Sequence, residues 1–371
     1  MTLTQKVTYA LKVFAVNVVI ILVIIAIIDV LFFDKKIPKN LSQYHQDLDI
    51  FTSKGNLNEM WPYEYYQIPY EKRVKGSYNI ITDEEGFRIG PKRLLQNNKK
   101  NIVMLGDSFS FGAHAEFDQS IQGLLQEHYP DYNIWNLSVS GTSTYYYDDI
   151  LSYYLKKKNI SSDILVIGLY VDMQIGDIPR VLARKKYGGM KAYDGIIVSP
   201  SLYKGLEESF LQRLLFKTEL FLRRHTSLIN IYFPRQQSPE FAIPLSEDIK
   251  SNDLVALEDL LLKNINEIQA TSKLPPQHII IWLVPSDHEL THKVMRNPGK
   301  DEFYKNSRIF WDNCKKKLEG NGYPVVDPRE FIEHMALEEK IFPYTVDGHL
   351  NGEGYERIAG MIIKEIDKME K

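Results

Sequence analysis

The sequence predicts an α/β protein: a three-layer α/β/α sandwich with a five-stranded parallel sheet, preceded by one transmembrane helix. Two observations predict it. Five short, β-branched apolar runs, at residues 102–105, 134–137, 164–169, 279–284 and 324–326, alternate with stretches of helical period. Ahead of them, residues 13–33 read VFAVNVVIILVIIAIIDVLFF, broken only by Asn17 and Asp29.

The composition accommodates both. A chain of 371 residues buries a core without disulfide or metal staples. Its 45 basic residues against 48 acidic ones give a net charge of −3, so no nucleic-acid partner is expected. The single cysteine, Cys314, closes no internal disulfide and builds no cysteine-rich metal cluster.

In chain order, a short tail of residues 1–12 leads into the apolar run at 13–33. At about 1.5 Å per helical residue that run spans roughly 30 Å, the hydrocarbon thickness of a bilayer. No small-residue cleavage site follows it, so an uncleaved single-pass anchor is expected, with the lipid bilayer as its partner. Lys6 and Lys12 before the run are matched by Lys35, Lys36 and Lys39 after it. Orientation therefore follows from length: the long C-terminal domain is expected on the extracytoplasmic side. Residues 34–100 are polar and irregular, with Pro38, Pro62, Pro69 and Pro91, and read as a stalk that becomes a lead-in segment.

Residues 101–371 read as one domain. Each apolar run is nearly continuous rather than alternating, as in strands covered on both faces. The stretch with Tyr147, Ile150, Leu151, Tyr154 and Leu155 is amphipathic and closes on Lys156-Lys157-Lys158, read as a solvated helix end. Tyr355, Ile358, Ala359, Ile362, Ile363 and Ile366 mark the last helix. An insertion at about 173–275 exceeds a plain crossover. It is expected to hold packing helices, part of them as a lid or substrate wall.

In a parallel sheet, ligands bind outside the carboxyl ends of the strands. There the sequence places Gly106-Asp107-Ser108-Phe109, Ser138-Val139-Ser140-Gly141-Thr142, Tyr170-Val171-Asp172, Pro285-Ser286-Asp287-His288 and Asp347-Gly348-His349. Ser108, where a strand ends and a helix begins, is a candidate nucleophile. A serine needs a base and the base needs an orienting group, which His349 and Asp347 supply. Gly141 would let a backbone N–H approach a substrate oxygen.

The blocks from residue 101 to 366 resemble the SGNH/GDSL hydrolases and the related SGNH-type O-acyltransferases. Residues 102–109 resemble the first family block, Asn136-Leu137-Ser138-Val139-Ser140-Gly141 the second, and Asp347-Gly348-His349-Leu350-Asn351 with Gly354 the last. Residues 82–88, Thr-Asp-Glu-Glu-Gly-Phe-Arg, resemble a lead-in of membrane-anchored members. The resemblance implies a flavodoxin-like SGNH fold and a Ser108-His349-Asp347 triad, with the N–H groups of Ser108 and Gly141 as the oxyanion hole. Asp107, Asn136, Asp172 and His288 are expected to line the pocket. It implies ester hydrolysis or acyl transfer on an acylated small molecule or cell-envelope glycan, with no metal or organic cofactor. The chain departs from the pattern at the third block, where Val171 stands in place of an asparagine that donates to the oxyanion. Loss of one such donor typically costs about 3 kcal/mol of transition-state stabilisation. A non-catalytic glycan-binding or assembly role therefore stands beside the enzymatic one.

A third reading comes from His288-Glu289-Leu290-Thr291-His292, which matches the H-E-x-x-H pattern of zinc hydrolases. Asn297-Pro298-Gly299 cuts that helix to barely two turns, and no third ligand is obvious, although Asp312 and Glu319 are available.

Overall fold

The structure, a computed structural model, describes residues 42–45, 47–48, 50–68, 72–91, 99–170, 191–193, 196–198, 251–284, 301–339 and 343–370, with Tyr9 and Asn17. It divides into two compact units. One comprises Met1–Asn40 and Lys186–Ile243. Its described strands, β8 (Lys191–Tyr193) and β9 (Ile196–Val198), pair antiparallel. The other comprises Leu41–Lys185 and Pro244–Lys371 and holds the sheet.

The five sheet strands are β5 (Lys100–Leu105), β6 (Tyr132–Asn136), β7 (Ile164–Tyr170), β10 (Ile279–Val284) and β11 (Val325–Val326). All four pairings are parallel, in the order β11-β10-β7-β5-β6. The α/β class with a five-stranded parallel sheet read from the sequence is thus present, and the order is flavodoxin-like. Because successive side chains point to opposite faces, each strand feeds two cores. Val103, Leu105, Leu165, Ile167, Ile281 and Leu283 pack in one cluster with residues of α3 (Thr144–Lys158), α4 (Ser251–Ser272) and α5 (Asp301–Gly320). Ile102, Met104, Val166, Ile280 and Trp282 pack in the other with α2 (Ile121–His128) and α7 (Gly352–Met369). Burial on both faces is why the runs are continuous in the sequence.

The segment read as a stalk and lead-in is, over its described residues, folded structure within the same unit as the sheet. β1 (Ser42–His45) pairs with β2 (Ile50–Ser53), and β3 (Asn58–Ile68) with β4 (Lys72–Ile81), both antiparallel. The turn after β4 is tied to α3: the Asp83 carboxylate accepts from the Tyr154 hydroxyl at 2.6 Å, and Phe87 meets the Tyr154 ring edge-on at 4.9 Å. Two of the three lysines read as solvated are partnered by this turn, Lys157 by Glu85 and Lys158 by Glu84. Gly86, at φ +92°, sits so close to β2 that an added Cβ would lie 1.9 Å from the Ser53 carbonyl oxygen.

The stretch assigned to the insertion contains α4 at its C-terminal end. α4 is the crossover helix between β7 and β10 and packs on α3, where Asn264 Nδ2 donates to Thr144 Oγ1 at 3.1 Å. Among the described residues no helix is long and apolar enough to cross a membrane. The run at 13–33 lies outside them apart from Asn17.

Candidate active site

The sheet order reverses between β5 and β7, and at such a switch point ligands bind at the carboxyl ends of the strands. β5 ends at Leu105, and the chain turns through Gly106 and Asp107 into α1 (Ser108–Phe111), a single helical turn. Gly106 has no room for a side chain, since a Cβ there would meet Ser110 Oγ at 2.0 Å. Asp107 caps the turn, accepting from the Phe109 amide at 3.0 Å. Burial pushes its carboxyl up to about 7, partly offset by the Phe109 amide and the charge of His349. Its position is that of a buried helix cap. Ser108 opens the turn and stays partly accessible.

The loop before α7 supplies the groups that face Ser108. Tyr344 and Leu350 form an isolated antiparallel bridge, Thr345 donates its amide to the His349 carbonyl at 2.7 Å, and Gly348 takes φ +89°. This tight turn puts Asp347 and His349 side by side despite the single residue between them. His349 Nε2 lies 2.8 Å from Ser108 Oγ, and its Nδ1 lies 3.1 Å from Asp347 Oδ1. The His349 ring rests against Phe109, centroid to centroid 5.0 Å, and Phe109 packs on Tyr170 at 4.7 Å.

Asp347 Oδ1 also accepts from Thr345 Oγ1 at 2.8 Å and from the His349 amide at 3.3 Å. Burial raises its carboxyl, but hydrogen bonds from His114, His349 and Thr345 and the charge of His349 outweigh that. The group is held well below the usual carboxylate range and stays ionised at neutral pH. Hydroxyl, imidazole and carboxylate thus form a continuous chain that can withdraw a proton from Ser108.

The second rim loop runs alongside. Val139 donates to the Gly106 carbonyl at 2.9 Å, which fixes the loop against the β5 turn. Gly141 is exposed at φ +78°, a conformation that favours glycine, with nothing within 4 Å of where a Cβ would be. Asn136 is buried, and its amide donates to the Ser110 carbonyl at 2.9 Å while its Oδ1 accepts from the Ser138 amide at 3.1 Å. Its polar atoms join the two rim loops instead of lining the pocket. Asp172, Val171, His288, Glu289 and His292 lie outside the described residues.

Three residues that the sequence reading missed complete the site. His114 Nδ1 lies 3.1 Å from the same Asp347 oxygen and 3.0 Å from Thr345 Oγ1. Tyr63 of β3 stacks on the His114 ring at 5.4 Å. Arg88, buried, donates to the carbonyls of Phe111 (3.0 Å), Gly112 and Ala115 (2.7 Å), gripping the loop that carries His114. The Gly-Phe-Arg run was a usable signal for Arg88, whereas a lone histidine past a one-turn helix gave none for His114. His114, Asp347 and His349 also present ligating atoms within 4.8 Å of one another, a spacing that fits one divalent ion. A ligand role for His349 there would take a ring nitrogen from its bond to Ser108 or Asp347.

No family model matches the chain, and no curated protein matches it. Among solved structures, it is similar to a member of the lipolytic G-D-S-L family from Veillonella parvula, at 12% identity over 71% of this chain and 97% of that one, TM-score 0.40. It is similar to the lipase/acylhydrolase from Enterococcus faecalis at 13% identity, 73% and 96% coverage and TM-score 0.39. It is also similar to a GDSL-like lipase from Bacteroides thetaiotaomicron at 15% identity, 75% and 92% coverage and TM-score 0.35. These solved neighbours are lipolytic and acyl-hydrolysing enzymes. The chemistry of the present site rests on its own geometry.

Proposed function

We propose that the chain is an SGNH-type serine esterase or O-acyltransferase. The observation that carries this reading is the unbroken hydrogen-bond chain from Ser108 through His349 to Asp347, set at the carboxyl end of β5. Ser108 Oγ attacks the ester carbonyl carbon as His349 Nε2 takes its proton. The negative charge that forms on the carbonyl oxygen faces the amides of Ser108 and Gly141. Collapse of the tetrahedral intermediate breaks the bond to the alcohol, which leaves with the proton from His349. Water or a sugar hydroxyl then attacks the acyl-serine, with His349 as base again, and regenerates Ser108. The choice between water and sugar decides hydrolysis or transfer.

The apolar run at 13–33 supports a membrane anchor, and the long domain after it supports an extracytoplasmic position. An acylated cell-envelope glycan is the substrate class that fits that location. The test uses the detergent-solubilised full chain with a chromogenic acetate ester and a serine-directed phosphonate. The wild type is expected to turn over the ester and take one phosphonate per chain, and Ser108→Ala to do neither. Turnover or labelling that survives Ser108→Ala sinks the serine mechanism. Transfer is then read by whether an added glycan acceptor gains the acyl group.

A further inference from the structure

We infer that His114 is a positioning residue for the Asp347 carboxylate, a second imidazole that holds the acid of the proposed triad by the same oxygen that its base reaches. The inference rests on the esterase reading above.

Asp347 needs holding. Its side chain is 53% exposed, and a half-exposed carboxylate on a turn has several rotamers open to it. Two groups outside the proposed triad fix it: the Thr345 hydroxyl at 2.8 Å and His114 Nδ1 at 3.1 Å, both on Oδ1, the atom that His349 Nδ1 also reaches. His114 is itself held, with a side chain only 11% exposed. Its ring is stacked on Tyr63 at 5.4 Å and flanked by Tyr78 at 5.6 Å, and it lies 4.9 Å from the His349 ring.

The backbone is shaped to deliver this ring. His114 sits at φ +64° and Gly112 at φ +81°, two left-handed residues in a four-residue bend. A non-glycine residue is uncommon there, and histidine, asparagine and aspartate are the types that tolerate it best. Arg88 fills the bend from inside. Its guanidinium bonds the carbonyls on either side of His114, and a Cβ on Gly112 would come within 2.5 Å of Arg88 Nη1. Such a conformation persists only where the surroundings over-determine it. With Nδ1 turned to Asp347 and Thr345, the ring contributes an N–H donor rather than a base. It acts through Asp347.

The test compares three variants of the full chain that differ in donor but share tolerance of the left-handed backbone: His114→Asn, His114→Gly and His114→Asp. An asparagine amide reproduces the position of an Nδ1 donor, glycine removes it, and aspartate replaces it with a second negative charge. Against the chromogenic ester, His114→Asn is expected within about threefold of wild-type kcat. His114→Gly and His114→Asp are expected to lose about 10- to 100-fold in kcat with KM within about twofold, the size of effect that a misplaced acid produces. If the asparagine variant falls as far as the aspartate variant, the donor is irrelevant and the inference is overturned. This comparison stands even if the glycine variant fails to fold. Wild-type kcat in a folded His114→Gly overturns it too. The control is Ser108→Ala: turnover surviving it overturns the esterase reading and this inference together. Turnover lost in it but indifferent to residue 114 overturns this inference alone.

Discussion

Val346 donates its backbone amide to the Glu64 carbonyl at 2.9 Å, which fastens the β3–β4 hairpin to the loop carrying Asp347 and His349. Tyr63, the neighbour of Glu64, stacks on His114 from the same strand. The hairpin is therefore part of the wall of the site. A chain shortened to begin at residue 99 loses the hairpin, Tyr63 and Arg88, and is expected to lose about tenfold or more in kcat, since loosened positioning residues cost that much. A chain beginning at Leu41 keeps them and is expected to turn over soluble esters like the full protein. Steady-state assays on the two shortened chains check this.

Replacing the acid tests the His349 tautomer. In Asp347→Asn the amide preserves shape but offers a donor where Nδ1–H needs an acceptor. A drop of about 10⁴-fold in kcat is expected, with KM little changed. A loss under tenfold would place the orienting role elsewhere.

Arg88 is a stability residue as well as a scaffold for His114. Arg88→Met strands the carbonyls of Phe111, Gly112 and Ala115 in a buried bend and is expected to cost about 3 kcal/mol. Arg88→Lys is expected to rescue little of this, because a single ammonium cannot span three carbonyls in a planar fork. Urea unfolding with an unchanged slope reads the difference.

Two carboxyls give stability opposite pH dependences. Burial raises Asp107 to about 7 from 3.8, so the folded state binds its proton more tightly than the unfolded state does. Its contribution is fully present below about pH 4 and is lost as pH rises through about 7. Asp347 is shifted downward, so its contribution is present above its unfolded value and lost as pH falls below it. Asparagine also caps helices well. Asp107→Asn is therefore expected to gain on the wild type by up to about 3 kcal/mol between pH 5 and pH 8. Unfolding midpoints of both proteins at the two pH values check the sign.

A chelator distinguishes the serine relay from zinc chemistry at His288, Glu289 and His292. Turnover of the chromogenic ester is expected to be unchanged after dialysis against EDTA and in His288→Ala. Loss in both, restored by added zinc in the wild type alone, would favour the metal reading.

The sheet was legible because its physics is local. A strand buried on both faces must be apolar at every position, and residues 164–169 and 279–284 announce that within a single window; the observed strands are Ile164–Tyr170 and Ile279–Val284. The place of Ser108 was legible because it lies just past the end of such a strand, after the Gly106-Asp107 turn. The β3–β4 hairpin was not. Its strands mix polar and aromatic residues, and Pro62 reads as a strand breaker, although a two-stranded ribbon accommodates it opposite Ser77. The lysines at 157 and 158 looked solvated because their acidic partners lie more than 70 residues earlier.

By itself the sequence determined the strands, the last helix, and the residues that follow each strand end, because periodicity and turn chemistry act between near neighbours. Only the tertiary structure decided which of those residues meet. Ser108 and His349 are 241 residues apart in the chain and 2.8 Å apart in space, and His114 reaches Thr345 across 231 residues. Such contacts depend on sheet order and on a buried arginine holding a left-handed bend, and neither leaves a periodic trace in the chain.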